Sequence, residues 1–176
     1  MASFYWLPWS EVGRDMKITS LSPGGVRLSH IPLHLAELFR QIPQCEELRS
    51  EQAEGRLFPS PVQPGKANQR IAEDWKAYVQ PELDERFRSS RDVVNGDLRR
   101  MTESDGSFGF EIKAEHLADW ISALNQVRLA IAARHGLVEA DIAREEVASV
   151  ETPRDLAILR VHFYGFLQQL LIEQVE

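Results

Sequence analysis

The amino-acid sequence predicts an α+β fold: a mostly helical bundle of about five helices with a small two- or three-stranded antiparallel sheet. Three observations carry this expectation. Two short alternating runs flank Ser22-Pro23-Gly24-Gly25, the signature of a β-hairpin. A further alternating run, Ser107–Lys113, follows the turn signal Asp105-Gly106. Nearly all the rest carries apolar residues at the spacing of one helix face.

The elements follow in chain order. Residues 16–21 and 26–28 alternate, with Ile18, Val26 and Leu28 directed inward. Proline presets one turn angle and glycine tolerates positive φ, so the link between them is tight. Pro32 suits a first helical turn, and Leu35, Leu38, Phe39 and Ile42 mark the face of the helix it opens. Pro43 kinks or ends that helix, because it lacks an amide proton. Residues 44–54 are charged and continue as helix until Gly55. Pro59, Pro61 and Pro64 make residues 58–65 a loop.

Asn68 then caps a long, broken helical segment over residues 68–101. Ile71, Trp75, Tyr78 and Val79 form its first apolar stripe, Pro81 interrupts it, and Leu83, Phe87, Val94, Leu98 and Met101 continue the pattern. In the next strand Phe108, Phe110 and Ile112 share one face, and this strand joins the hairpin because an isolated hairpin is marginal. A helix over residues 114–135 stops at Gly136, and residues 140–150 form a weaker, acidic one. Thr152-Pro153-Arg154-Asp155 combines a cap residue, a first-turn proline and a capping-box acid. The helix it opens, residues 153–174, is apolar nearly all round and belongs at the centre of the fold. Gly165 within it permits close approach of a neighbour.

The domain organisation is an aromatic N-terminal arm, residues 1–15, followed by a single globular domain, residues 16–176. A chain of 176 residues with 43% hydrophobic content fits one such domain and is too apolar for disorder. The net charge of -7 argues against generic binding to nucleic acid or anionic membranes. No apolar run approaches the ~20 residues of a membrane span, so no membrane partner is expected. Cys45 is the one cysteine, which excludes an intramolecular disulfide and makes a cytoplasmic location the default. The start is not a signal peptide: Phe4-Tyr5-Trp6-Leu7-Pro8-Trp9 lacks a cationic leader and is interrupted by Pro8.

Catalytic patterns are missing. There is no Gly-x-Ser-x-Gly elbow, no Walker loop and no dinucleotide fingerprint, so no cofactor is expected and the chain reads as a non-enzyme. Cys45 has no recognisable base partner and reads as a small core residue. His30 and His34 are spaced as metal ligands can be, but Pro32 lies between them and no third ligand has a fixed offset, so they read as surface histidines. His135, beside Gly136, suits a helix C-terminus, where its positive form is favoured. His162 reads as a boundary histidine of the last helix.

Arg128 is the informative polar residue. Leu117, Trp120, Ile121, Leu124, Val127 and Ile131 share one helix face, and Arg128 falls inside it, with Asn125 at its edge. A buried guanidinium needs a carboxylate or carbonyl partner. Arg128 and Asn125 are therefore candidates for a polar network between helices, or for an anion site. Phe4, Tyr5, Trp6 and Trp9 either fold back into a groove of the same chain or, as the candidate interface, dock onto a second copy or another protein, since an exposed aromatic cluster is adhesive. Arg86, Arg88 and Arg91, followed by Arg99 and Arg100, are interleaved with acids and read as a solvated helix face.

The order of these elements resembles the bacterial family of domains of unknown function numbered 2017. The residues that carry the resemblance are Ser22-Pro23-Gly24-Gly25-Val26, Arg56-Leu57-Phe58-Pro59, and Leu124-Asn125 followed by Arg128-Leu129. It extends from Met16 to the C-terminus and does not include the aromatic arm. The resemblance implies little about chemistry, since the family has no established catalytic activity. It implies a cytosolic regulatory role, since genes of this family often lie near that of an adaptor of the ATP-dependent Clp protease. It also singles out Arg56, Asn125 and Arg128 as matching positions.

The leading expectation is thus a non-enzymatic cytosolic interaction or regulatory protein, linked to regulated proteolysis or transcription, with a protein partner or self-association. The alternative is a small-ligand sensor or enzyme with an anion site at Arg128 and Asn125. A DNA-associated regulator using the arginines of residues 86–100 is the weakest reading, and a nucleic-acid partner is not expected.

Overall fold

The computed structural model of the protein describes residues 16–48, 50–62, 68–143 and 150–174. Strand β1 (Lys17–Ser20) runs antiparallel to β2 (Gly25–Ile31), with Ile18 opposite Leu28 and Ser20 opposite Val26. The turn closes through Leu21 N–H, which donates to Gly25 O at 2.9 Å. Gly25 sits at φ 94°, and a Cβ there would stand 2.6 Å from Ile112 O and 2.9 Å from Ala114 N. No side chain fits between those backbones. β4 (Ser107–Lys113) pairs with the other side of β2, and β3 (Thr102–Ser104) pairs with β4 across the Asp105-Gly106 turn.

The sheet order is β1-β2-β4-β3, four strands where two or three are expected. β3 leaves no trace in the hydrophobic pattern because Thr102, Glu103 and Ser104 are all polar and all exposed. A short polar edge strand of this kind also discourages pairing with another chain.

Helix α1 (Leu33–Gln41) opens after Pro32 and ends ahead of Pro43, as proline chemistry requires. The charged stretch after it does not continue as one helix to Gly55. A 3₁₀ turn (Pro43–Leu48) comes first, and α2 (Glu51–Leu57) then restarts at Ser50, whose Oγ accepts from Ala53 N–H at 3.1 Å. Gly55 lies inside α2 and does not end it.

The long segment is unbroken. α3 (Gln69–Asp74) passes through a π-turn (Trp75–Val79) into α4 (Gln80–Leu98). Pro81 does not interrupt the helix, because it falls in the first turn of α4, directly after the widened π-turn, where a missing donor costs little. Asn68 stands at the cap position of α3, but its side chain makes no capping bond.

α5 (Leu117–Arg134) follows a 3₁₀ turn (Ala114–His116) and stops at Gly136, which takes φ 59°. α6 (Glu139–Ile142) is the described part of the weak acidic helix; residues 144–149 lie outside the described residues. α7 (Pro153–Ile172) begins with the expected capping box: Asp155 N–H donates to Thr152 Oγ1 at 3.2 Å and Thr152 N–H donates back to Asp155 Oδ2 at 2.9 Å.

The inner face of the sheet, Val26, Leu28, Ile31, Phe110 and Ile112, is buried against the helices. Phe39 of α1 stands at the meeting point, edge-on to Phe110 at 5.2 Å and to Phe163 of α7 at 5.6 Å, while Phe110 stacks on Trp120 of α5 at 5.4 Å. α7 buries residues on several sides, among them Ile158, Val161, Tyr164, Leu167 and Leu171, and is the central helix its composition implies. Tyr164 ties it to α1 by donating to Leu38 O at 2.9 Å. Phe4, Tyr5, Trp6 and Trp9 lie outside the described residues.

Candidate functional site

Ile121, Asn125 and Arg128 are spaced by four and three residues on α5, so they share one side of the helix. Across from them runs α7, where Gly165 provides a gap. A Cβ on Gly165 would lie 3.4 Å from Cζ, Nε and Nη2 of Arg128, so the guanidinium rests on bare helix backbone. Arg128 Nη1 donates to Gln168 Oε1 at 2.6 Å, and Gln168 Nε2 in turn donates to Ile121 O at 3.3 Å. This is a polar link between α5 and α7. The partner is an amide oxygen, and among the described residues no carboxylate pairs with Arg128. Nε is buried with no acceptor among the described residues. Desolvation pushes the guanidinium pKa down.

Asn125 is exposed and outside this link. Its neighbour Gln126, buried to 1% exposure, is the amide that joins a network. Gln126 Oε1 accepts from Arg91 Nη1 at 2.7 Å, and Gln126 Nε2 donates to Phe87 O and Ser122 Oγ. Arg91 therefore does not belong to a solvated basic face, because α4 turns it inward. Arg56 is placed elsewhere again. Its Nη2 donates to Leu137 O at 2.9 Å and pins α2 to the turn after α5. The structure does not bring Arg56, Asn125 and Arg128 together; only Asn125 and Arg128 share a surface.

The inner side of α4 carries a second polar cluster absent from the sequence-based candidates. Asp97 is fully buried. It accepts from Trp120 Nε1 at 2.8 Å and from Arg100 Nη2, and His116 Nδ1 stands 3.0 Å from both its oxygens. Further along the same pair of helices, Ser90 Oγ donates to Asp119 Oδ1 at 2.9 Å. The available signal was spacing: Asp97 lies three residues after Val94 and one before Leu98, on the apolar stripe. Asp97, Trp120, His116, Arg100, Ser90 and Asp119 each meet a protein partner, and the geometry is that of a helix-to-helix tie.

The remaining candidates are quickly placed. Cys45 is buried at 4% exposure. His30 and His34 are exposed, and among the described residues no group of three or more His, Cys, Asp or Glu is arranged to hold a metal ion. His162 Nε2 meets Ile142 O at 2.8 Å. His135 stands at the C-cap of α5, where burial, then Arg134, Arg160 and Arg154, push its pKa down. A cleft of about 320 Å³ on the outer face of the sheet is lined by Arg27, Arg100, Thr102 and Glu111, and both arginines are already paired, with Glu111 and Asp97.

The model of the family described as Domain of unknown function (DUF2017) matches residues 27–175. The chain belongs to this family. No curated protein and no solved structure matches it. The matched DUF2017 region begins within β2 and contains Arg56, Asn125 and Arg128 as well as the Asp97 cluster.

The DUF2017 chain also carries an uncovered apolar surface. No residue of α3 or the π-turn is buried. Ile71 is 51% and Tyr78 76% exposed, and Trp75, partly covered, holds an indole N–H with no acceptor among the described residues. The expected apolar stripe is therefore present as a sequence pattern but does not face the core. Among the described residues no helix is long and apolar enough to cross a membrane.

Proposed function

We propose that the protein is a non-enzymatic, cytosolic interaction protein of a bacterial cell with a regulatory role, and that α3 and the π-turn present its contact surface to another protein or a second copy. The observation that carries this reading is the exposure of Ile71 and Tyr78, 51% and 76%, on a helical stretch in which no residue is fully buried. Apolar and aromatic side chains left in water gain free energy only by meeting a partner, and such patches mark interfaces. The resemblance to a family encoded near a protease adaptor supports regulated proteolysis as the setting, with transcription as the other.

The test is a paired charge substitution, Ile71→Asp with Tyr78→Asp, which touches no buried residue. Sedimentation velocity and capture from native lysate are compared with the unaltered protein at equal melting temperature. Loss of self-association or of a captured partner is the expected result. Identical behaviour of the two proteins in both measurements rejects the reading.

A small-ligand reading is favoured by one observation, the absence of a carboxylate opposite Arg128 among the described residues. A DNA-binding reading is disfavoured by the pairing of the α4 arginines: Arg86 with Glu82, Arg88 with Asp84 and Glu85, and Arg91 with Gln126.

A further inference from the structure

We propose that Arg128 and Asn125, set against the bare backbone of Gly165, form a receptor for a single carboxylate group. This inference goes beyond the contact surface proposed for α3 and uses none of its residues.

A guanidinium has five N–H donors. In Arg128 one bond, from Nη1 to Gln168 Oε1, is made to protein; Nε is enclosed with no acceptor among the described residues, and Nη2, which is not enclosed, has none either and is the donor left to face an incoming group. The two helices that hold the site have no acid to spare. α5 contains one, Asp119, which accepts from Ser90, and α7 contains one, Asp155, which is spent in the capping box. Among the described residues this half-buried cation meets no anion, an arrangement that costs stability unless something else supplies the charge.

The surroundings are ordered for such a group. Gln168 is held by Ile121 O, so its own oxygen fixes the guanidinium plane. The bare backbone of Gly165 supports one side of the guanidinium, which packs directly against it and so is held in place. Asn125, three residues before Arg128 and exposed, adds amide donors on the same side of α5. One cation with one neutral amide matches one negative charge, which selects a carboxylate over a phosphate dianion. The carboxylate can come from a small organic acid or from an acidic side chain of another protein.

The side-chain Nε–H signal of Arg128, identified in ¹⁵N spectra by its loss in Arg128→Lys, reports on the site. Sodium acetate is titrated against sodium chloride at matched ionic strength. A saturating shift with acetate alone is the expected result, with affinity weakened about threefold or more in Asn125→Ala, where one hydrogen bond is lost. A shift that is linear, equal in chloride, or unchanged by Asn125→Ala overturns the proposal. If Arg128→Lys does not fold, Gly165→Ala assigns the signal, because its methyl group touches the guanidinium. A capped tetraglutamate peptide forms the second arm. Binding at least about tenfold tighter than acetate per carboxylate points to a protein source, and equal binding points to a small acid.

Discussion

Arg91 of α4 donates through Nη1 to Oε1 of Gln126 on α5 at 2.7 Å, with both side chains buried. This bond places a cation and an amide in the middle of a helix interface and makes that interface sensitive to polar substitution. Arg91→Ala is expected to cost about 2–3 kcal/mol, since it leaves Gln126 Oε1 without its charged donor. Arg88→Ala, three residues away on the same helix, removes only exposed ion pairs with Asp84 and Glu85 and is expected to stay within ~0.5 kcal/mol. Urea denaturation of the two variants measures the difference, and equal stabilities would show that the buried bond contributes nothing.

Asp97 predicts a larger loss. Its carboxylate is the acceptor for Trp120 Nε1, and its removal strands that indole N–H beside His116 and Arg100. Asp97→Ala is expected to destabilise the fold by about 3–5 kcal/mol. A melting temperature unchanged from that of the parent protein would contradict this account of the cluster.

Two glycines are predicted to respond in opposite directions. Gly25→Ala drives a methyl group into Ile112 O and Ala114 N at a positive φ, a loss of about 2–4 kcal/mol. Gly96 lies within α4, and no other part of the fold comes within 4 Å of where its Cβ would stand. Gly96→Ala is therefore expected to stabilise by about 1 kcal/mol. Thermal unfolding of both variants decides whether backbone contact or helix propensity governs each site.

His135 sets a pH dependence whose sign follows from its neighbours. Burial and three arginines lower its pKa in the folded protein below the ordinary value of 6.5, so the unfolded chain takes up the proton more readily. Its contribution is therefore fully present above 6.5 and is lost as the pH falls toward the lowered folded value. His135→Gln is expected to flatten the stability profile on the acidic side of neutrality. A profile that keeps the slope of the parent protein assigns the dependence to another group.

Much of the fold is legible in the sequence because its signals are local. The cap at Thr152, the turn at Ser22 to Gly25 and the alternation of Phe108, Phe110 and Ile112 each act within a few residues, and the structure keeps all three. β3 was not legible, because an exposed polar strand is defined only by its partner. The restart at Ser50 was not either, since a serine in a charged stretch signals a cap only once the helix after it exists.

The site divides in the same way. Arg128 stands out because it breaks an apolar stripe that one helix defines. Its acceptor, Gln168, lies 40 residues further on, and no periodicity relates the two. Asp97 and Arg91 occupy inward positions of α4, but reading them as buried requires knowing that α5 covers that side. The apolar stripe of residues 71–79 misleads for the converse reason: its spacing promises a core that the fold does not put there.

Between Gln69 and Val79 no side chain is fully buried and only Ala72, Trp75 and Val79 are partly covered, so that stretch of helix is held weakly by the rest of the fold. Its amides should exchange with solvent through fraying, without waiting for the whole domain to open. Covering it would slow that exchange at once, so the protection of these few amides is a direct gauge of whether, and when, the molecule is occupied.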